Sequence, residues 1–98
     1  MDIVNLNPND LERAAGILKA MAHPVRISIL GALEGGKSLT VTEIHNILKI
    51  EQSTASHHLG IMREKGVLDS RREGKNIYYS LRDEKLRDML LCLSYCRK

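Results

Sequence analysis

The chain has 98 residues and a mass of 11.0 kDa, which sets a single domain over 1–98 and a core thin enough that a partner subunit would help. Its 43% hydrophobic and 28% charged residues exclude a disordered chain, and its 3% of aromatics (Tyr78, Tyr79 and Tyr95) disfavour modules that stack unpaired bases on aromatic platforms. Net charge is +3; no apolar run approaches the roughly 20 residues of a membrane span, and residues 1–20 lack the basic start and apolar run of a secretion leader.

Asn7-Pro8-Asn9-Asp10 predicts a helix start. Asn7 can cap, Pro8 suits the first helical position, and Asp10 sits near the positive end of the dipole. Leu11, Ala14, Ala15, Leu18 and Met21 follow at helical spacing, so a first helix is expected over 8–21. His23 and Pro24 restart the chain as the cap and first residue of a second helix. Val25, Ile27, Ile29, Leu30 and Leu33 spread around most of its cylinder, which predicts a buried helix. Arg26 reads as a structural charge there, and Gly35-Gly36 as the end of the helix.

Thr40-Val41-Thr42-Glu43 has the spacing of a capping box, a hydroxyl followed three residues later by a carboxylate. It opens a short helix whose apolar face is Ile44, Ile47 and Leu48. A tight connection, Ile50-Glu51-Gln52, leads to Ser53, expected to cap a helix over 53–65 that Gly66 terminates. Two extended runs, 67–72 and 76–81, flank Glu73-Gly74-Lys75 and predict a hairpin. A last helix is expected over 83–95, with Leu86, Met89, Leu90 and Leu93 on its apolar face. The fold class is therefore mainly α with a small β-hairpin wing (α+β). The order helix-helix-helix-helix-hairpin-helix makes a winged helix-turn-helix.

The segment 53–65 carries two stripes. Ser53, Ser56, His57 and Gly60 are all small or polar, while Ala55, His58, Leu59 and Met62 are largely apolar. One face can pack on a core while the other enters a major groove about 12 Å wide and offers hydroxyls and an imidazole to base edges. Gln52 and Thr54 lie at the N-terminal end, where backbone N–H groups favour phosphate. The hairpin region 71–82 holds Arg71, Arg72, Lys75 and Arg82 against Glu73, a local basic excess suited to a polyanion. His57 is expected to face outward and His58 the core.

These stretches resemble the ArsR/SmtB family of prokaryotic winged-helix repressors. The resemblance is carried by Leu18-Lys-Ala-Met-Ala-His-Pro-Val-Arg-Ile-Ser-Ile-Leu30, by the run from Gln52 through His57-His58 to Leu68, and by Arg72-Glu-Gly-Lys-Asn-Ile-Tyr-Tyr-Ser-Leu81. It implies a cytoplasmic, nucleoid-associated homodimer joined by its first and last helices and bound to palindromic double-stranded operator DNA, with no membrane partner. It puts Gln52, Ser53, Ser56 and His57 at the groove, and Arg71, Arg72, Lys75 and Asn76 along the backbone or minor groove. It also implies release of the operator when a signal binds.

The chain departs from the metal-sensing members. Thr40 and Thr42 stand where their thiolate site has cysteines, and hydroxyls do not replace thiolates for a soft metal. Their other site falls on Asp83, Lys85 and Cys96, and lysine stays protonated at neutral pH. No metal site of the family type is expected. Two cysteines, Cys92 and Cys96, are too few for a secreted disulfide framework and fit a reducing cytosol. Spaced i and i+4, they are helix neighbours with three open uses: binding a thiophilic metal ion such as arsenite or cuprous copper, reacting with persulfide or oxidant, or packing as small hydrophobes. Two other functions compete with a repressor. A winged-helix protein-interaction module without DNA binding is opposed by the small outward stripe and the basic hairpin. An enzyme is opposed by the lack of a nucleophile with a base, of paired carboxylates and of a glycine-rich phosphate loop.

Overall fold

The computed structural model describes residues 7–86 together with Asp88 and Cys92. The first helix, α1 (Pro8–Met21), starts as its sequence predicts: the Asp10 N–H donates to Asn7 Oδ1 at 2.9 Å. Only Ala20 and Met21 of α1 are buried, and Leu11 and Leu18 stand 47% and 52% exposed. These two leucines are seven residues apart, two turns along one face. α2 (Pro24–Ala32) is capped by a ring nitrogen, with the Val25 N–H donating to His23 Nδ1 at 3.1 Å.

Two expectations for α2 are corrected. It is not buried on all sides: Ile29 and Leu30 are fully covered, but Ile27 is exposed. It also ends at Ala32, three residues before Gly35. Gly35 and Gly36, with φ of 82° and 75°, instead shape the turn that follows, a conformation glycine adopts at no steric cost.

The capping box is present in full at α3 (Val41–Leu48). The Glu43 N–H donates to Thr40 Oγ1 at 3.2 Å, and the Thr40 N–H donates to Glu43 Oε1 at 2.9 Å. Ile44 is buried and Leu48 packs beside it, whereas Ile47, expected on the same face, is exposed. Lys49 ends α3 in the left-handed conformation, φ 57°, and the Ile50 N–H returns to the His45 carbonyl. That closes the turn early. The next helix, α4 (Gln52–Glu64), therefore begins one residue before the expected 53–65, and Ser53 lies in its first turn instead of capping it. Glu51 holds the cap position, and its side chain makes no capping hydrogen bond.

The wing strands are β2 (Leu68–Glu73) and β3 (Asn76–Leu81), antiparallel, with Leu68 opposite Leu81 and Glu73 opposite Asn76. β2 starts one residue later than the expected run. A third strand, β1 (Leu39–Thr40), was not expected; it pairs with Tyr79 and Tyr78 and makes a sheet of order β1-β3-β2. This strand leads directly into α3, so it ties the helix-turn-helix to the base of the wing. The predicted last helix, 83–95, falls largely outside the described residues.

The core gathers Ile29, Leu30 and Leu33 from α2 and its end, Ile44 from α3, Ala55, Leu59 and Met62 from α4, and Val67 and Leu68 from the start of the wing. All nine are completely covered. Each large aliphatic among them contributes about 1.5–3 kcal/mol by leaving water. The consequence for function is directional: α4 is held by one flank only.

Candidate nucleic-acid interface

Helical periodicity divides α4 as the two stripes predict. Ala55, His58, Leu59 and Met62 are buried. Gln52, Ser53, Ser56 and His57 are exposed, and Thr54 and Gly60 are half-buried. The open face carries no side chain longer than imidazole between Ser53 and Gly60, so its backbone ridge can approach another surface closely.

That face meets the wing. Gln52 and Ser56 line one hollow with Lys75, Asn76, Ile77 and Tyr79 of the wing and with Thr40, Val41 and Thr42 at the start of α3. Thr42 and Ile77 belong to this hollow and were missed by the sequence reading. Ile77 alternates in step with the half-buried Tyr79 and Leu81, yet it lies beyond the edge of the core and is 41% exposed. Thr42 had a detectable signal, since it lies on the N-terminal turn of the first helix of the pair.

The pleat sorts the wing's cations. Successive strand residues point to opposite faces, and cross-strand partners share a face. Arg72 pairs with Ile77 and shares the face of Leu68, Tyr79 and Leu81, the face that packs on the core and runs out into the hollow. Its Nε donates to the Gly74 carbonyl at 3.4 Å. Arg71 pairs with Tyr78 on the other face. Its Nε lies 2.7 Å from Glu73 Oε2, and its guanidinium carbon sits 5.6 Å from the centre of the Tyr78 ring. The two arginines, grouped together from the sequence, thus start from different environments. Arg82, further along, donates to Asp69 Oδ1 at 2.9 Å at the base of the hairpin.

The histidine pair separates as expected. His57 is exposed, whereas His58 is only 7% exposed and points into the body of the protein. Its Nδ1 accepts the Nε–H of Arg26 at 3.1 Å, and its ring centre is 4.5 Å from that of His23. Arg26 also donates through Nη1 to the Ala20 carbonyl of α1 at 3.3 Å. Burial pushes the His58 imidazole below its ordinary value of 6.5, and His23, Arg26 and His57 push it the same way. A neutral ring accepting at Nδ1 carries its proton on Nε2. Arg26 is therefore the structural charge that the sequence predicted, and His58 the satisfied interior histidine.

Cys92 is exposed, and Cys96 lies outside the described residues. Among the described residues, no three His, Cys, Asp or Glu side chains converge to hold a metal ion. No helix among them is long and apolar enough to cross a membrane.

Comparison with known proteins agrees with this geometry. A family described as a helix-turn-helix domain matches residues 21–71. The chain is 46% identical over 84 residues to the transcriptional repressor PagR of Bacillus anthracis, covering 86% of this chain and 84% of that protein. The crystal structure of that repressor superposes with a TM-score of 0.79, covering 89% of this chain and 99% of its own. The HTH-type transcriptional regulator YgaV of Escherichia coli is 38% identical over 87 residues, 87% of this chain and 88% of that one. A homodimeric winged helix-turn-helix DNA-binding domain from Mycobacterium bovis, described as a possible ArsR-family transcriptional regulator, superposes with a TM-score of 0.80 at 25% identity, over 98% of this chain and 88% of its own.

Proposed function

The chain belongs to the ArsR/SmtB family of winged-helix transcriptional regulators, and on that footing we propose that it is a homodimeric repressor of a palindromic operator. α4 enters the major groove with Gln52, Ser53, Thr54, Ser56 and His57. Arg71, Arg72, Lys75 and Asn76 of the wing contact the phosphate backbone or the minor groove beside it. One observation carries the reading: the uncluttered face of α4 and the basic wing open onto a single hollow, while the opposite flank of α4 is locked in the core.

Dimerisation through the first and last helices has its support in Leu11 and Leu18, large apolar groups exposed on one face of α1. A two-fold axis would set the two recognition helices about 34 Å apart, one turn of DNA. In this reading chain 1–98 acts as one domain, and the dimer works in the cytoplasm at the nucleoid. For the still unidentified signal this reading takes thiol chemistry at Cys92 and Cys96, with a thiophilic ion, a persulfide or an oxidant, and has the exposure of Cys92 as its support.

Fluorescence anisotropy on a labelled duplex from the promoter upstream of the gene tests this. Affinity should fall with salt at a log–log slope near −0.9 per phosphate neutralised. His57→Ala should cost about 1–3 kcal/mol against the preferred sequence and little against others, while Arg72→Ala should weaken binding to every duplex about equally. If both variants bound all duplexes like the parent, the groove assignment would be wrong. Adding arsenite, persulfide or diamide should release the parent, and a Cys92→Ser/Cys96→Ser protein released equally well would exclude thiol sensing.

A further inference from the structure

The contacts around His58 reach beyond what a buried histidine needs. α4 carries the candidate DNA face, and α1 carries the candidate dimer face. The Arg26 guanidinium, rooted in α2, holds both at once: Nε on His58 of α4 and Nη1 on the last-turn carbonyl of Ala20 in α1. His23, the cap of α2, lies against the same imidazole. The whole node bridges residues 32 apart in sequence.

We propose that Arg26 and His58 are positioning residues for DNA binding, a proton-sensitive tie that fixes the rotation and depth of α4 relative to α1. The inference rests on the repressor reading above. With His58 neutral, Nδ1 is an acceptor and the tie holds. With His58 protonated, an N–H faces the Arg26 N–H, donor against donor and cation against cation. The tie then opens and α4 loses its fixed seat, while the aliphatic anchors Leu59 and Met62 keep the helix folded. The titratable and charged groups facing His58 are His23 from the α1–α2 junction, Arg26 from α2 and His57 from its own helix. Among the described residues none of these groups is an anion that would partner the imidazolium. This agrees with the direction in which the His58 imidazole is pushed.

The test uses the full chain and two substitutions. In His58→Asn, the amide oxygen can stand near the Nδ1 position, accepting from Arg26 without titrating. In His58→Leu, the acceptor is gone. Binding is measured by anisotropy at pH 7.5 and 5.5 on a duplex that the parent selects from a random pool, with folding checked by circular dichroism. The parent should lose affinity on acidification relative to His58→Asn, by up to about fivefold at pH 5.5, because the His58 imidazole is pushed below its ordinary value and takes up its proton only in part there. His57 is present in both proteins, so its contribution cancels. His58→Asn should match the parent at pH 7.5, and His58→Leu should bind about tenfold more weakly at both pH values. Identical pH profiles for the parent and His58→Asn would overturn the tie.

An NMR titration of the imidazoles adds a readout that needs no DNA: backbone amides along 55–61 should shift with the His58 titration. Amides that stay still while His58 titrates would overturn the proposal. Amides that move in a protein that selects no duplex would support the tie and remove the repressor reading instead.

Discussion

Glu73 should restrain the DNA affinity of this protein by holding Arg71. The perturbation is Glu73→Gln, alone and combined with Arg71→Gln. In the structure Arg71 Nε sits 2.7 Å from Glu73 Oε2, with the two side chains 61% and 57% exposed. Arg71 must leave that carboxylate to reach a phosphate. An ion pair so open to water is worth about 0.2–1 kcal/mol, so releasing Arg71 should tighten binding by up to about fivefold. A second effect has the same sign. A carboxylate about 8 Å from a phosphate repels it by roughly 0.5 kcal/mol in water, and salt reduces that further.

The double variant separates the two effects. In the Arg71→Gln background only the direct repulsion remains, so Glu73→Gln should gain no more than about twofold. With Arg71 present, the released cation should also steepen the log–log salt slope by up to about 0.9. The assay is anisotropy on the selected duplex across a series of potassium chloride concentrations. An equal gain in both backgrounds would show that Glu73 acts through general repulsion, and the restraint read from the 2.7 Å contact would be wrong.

Three further outcomes concern the scaffold. Thr40→Ala removes the hydroxyl that accepts the Glu43 N–H and should cost about 1 kcal/mol in urea unfolding, with Thr40→Ser restoring most of it. Gly66 has φ of 83°, and a Cβ there would lie 3.2 Å from Arg82 Nη1, a flexible side-chain end that can move aside. The backbone strain dominates, so Gly66→Ala should cost about 1–2 kcal/mol and lower Tm by roughly 4–8 °C per kcal/mol; a shift under about 1 °C would contradict it. Stability should also fall with acid. His58 holds its proton less tightly folded than unfolded, so the unfolded chain takes up more protons as pH drops through 6.5. The contribution is intact above that pH and is lost below it, and the urea midpoint of the parent should decline between pH 7 and 5 more than that of His58→Asn.

How far each feature could be read in advance follows the reach of the interaction behind it. The caps at Asn7, His23 and Thr40–Glu43 were legible because donor and acceptor lie within three residues. The two flanks of α4 were legible because a 3.6-residue period sorts Ser56 and His57 from Leu59 and Met62 without knowledge of what covers them. Residues 21–71 likewise carry enough ordered motif to identify the family.

Other features depend on where distant segments meet. β1 is two residues long and has no strand pattern of its own; Leu39 and Thr40 are extended because Tyr79 and Tyr78 supply their partners. The helix start moved from Ser53 to Gln52 because Lys49 took a left-handed turn. Ile77 stands outside the core, although it alternates in step with the half-buried Tyr79 and Leu81, because the wing extends past the core cluster against which those two pack. Arg26 was legible as a structural charge, but its partners on α1 and α4 were not. Caps and helical periods are satisfied within a turn or two of chain. A contact between Arg26 and His58 exists only after the intervening loops close, and its geometry belongs to the packed arrangement rather than to either segment.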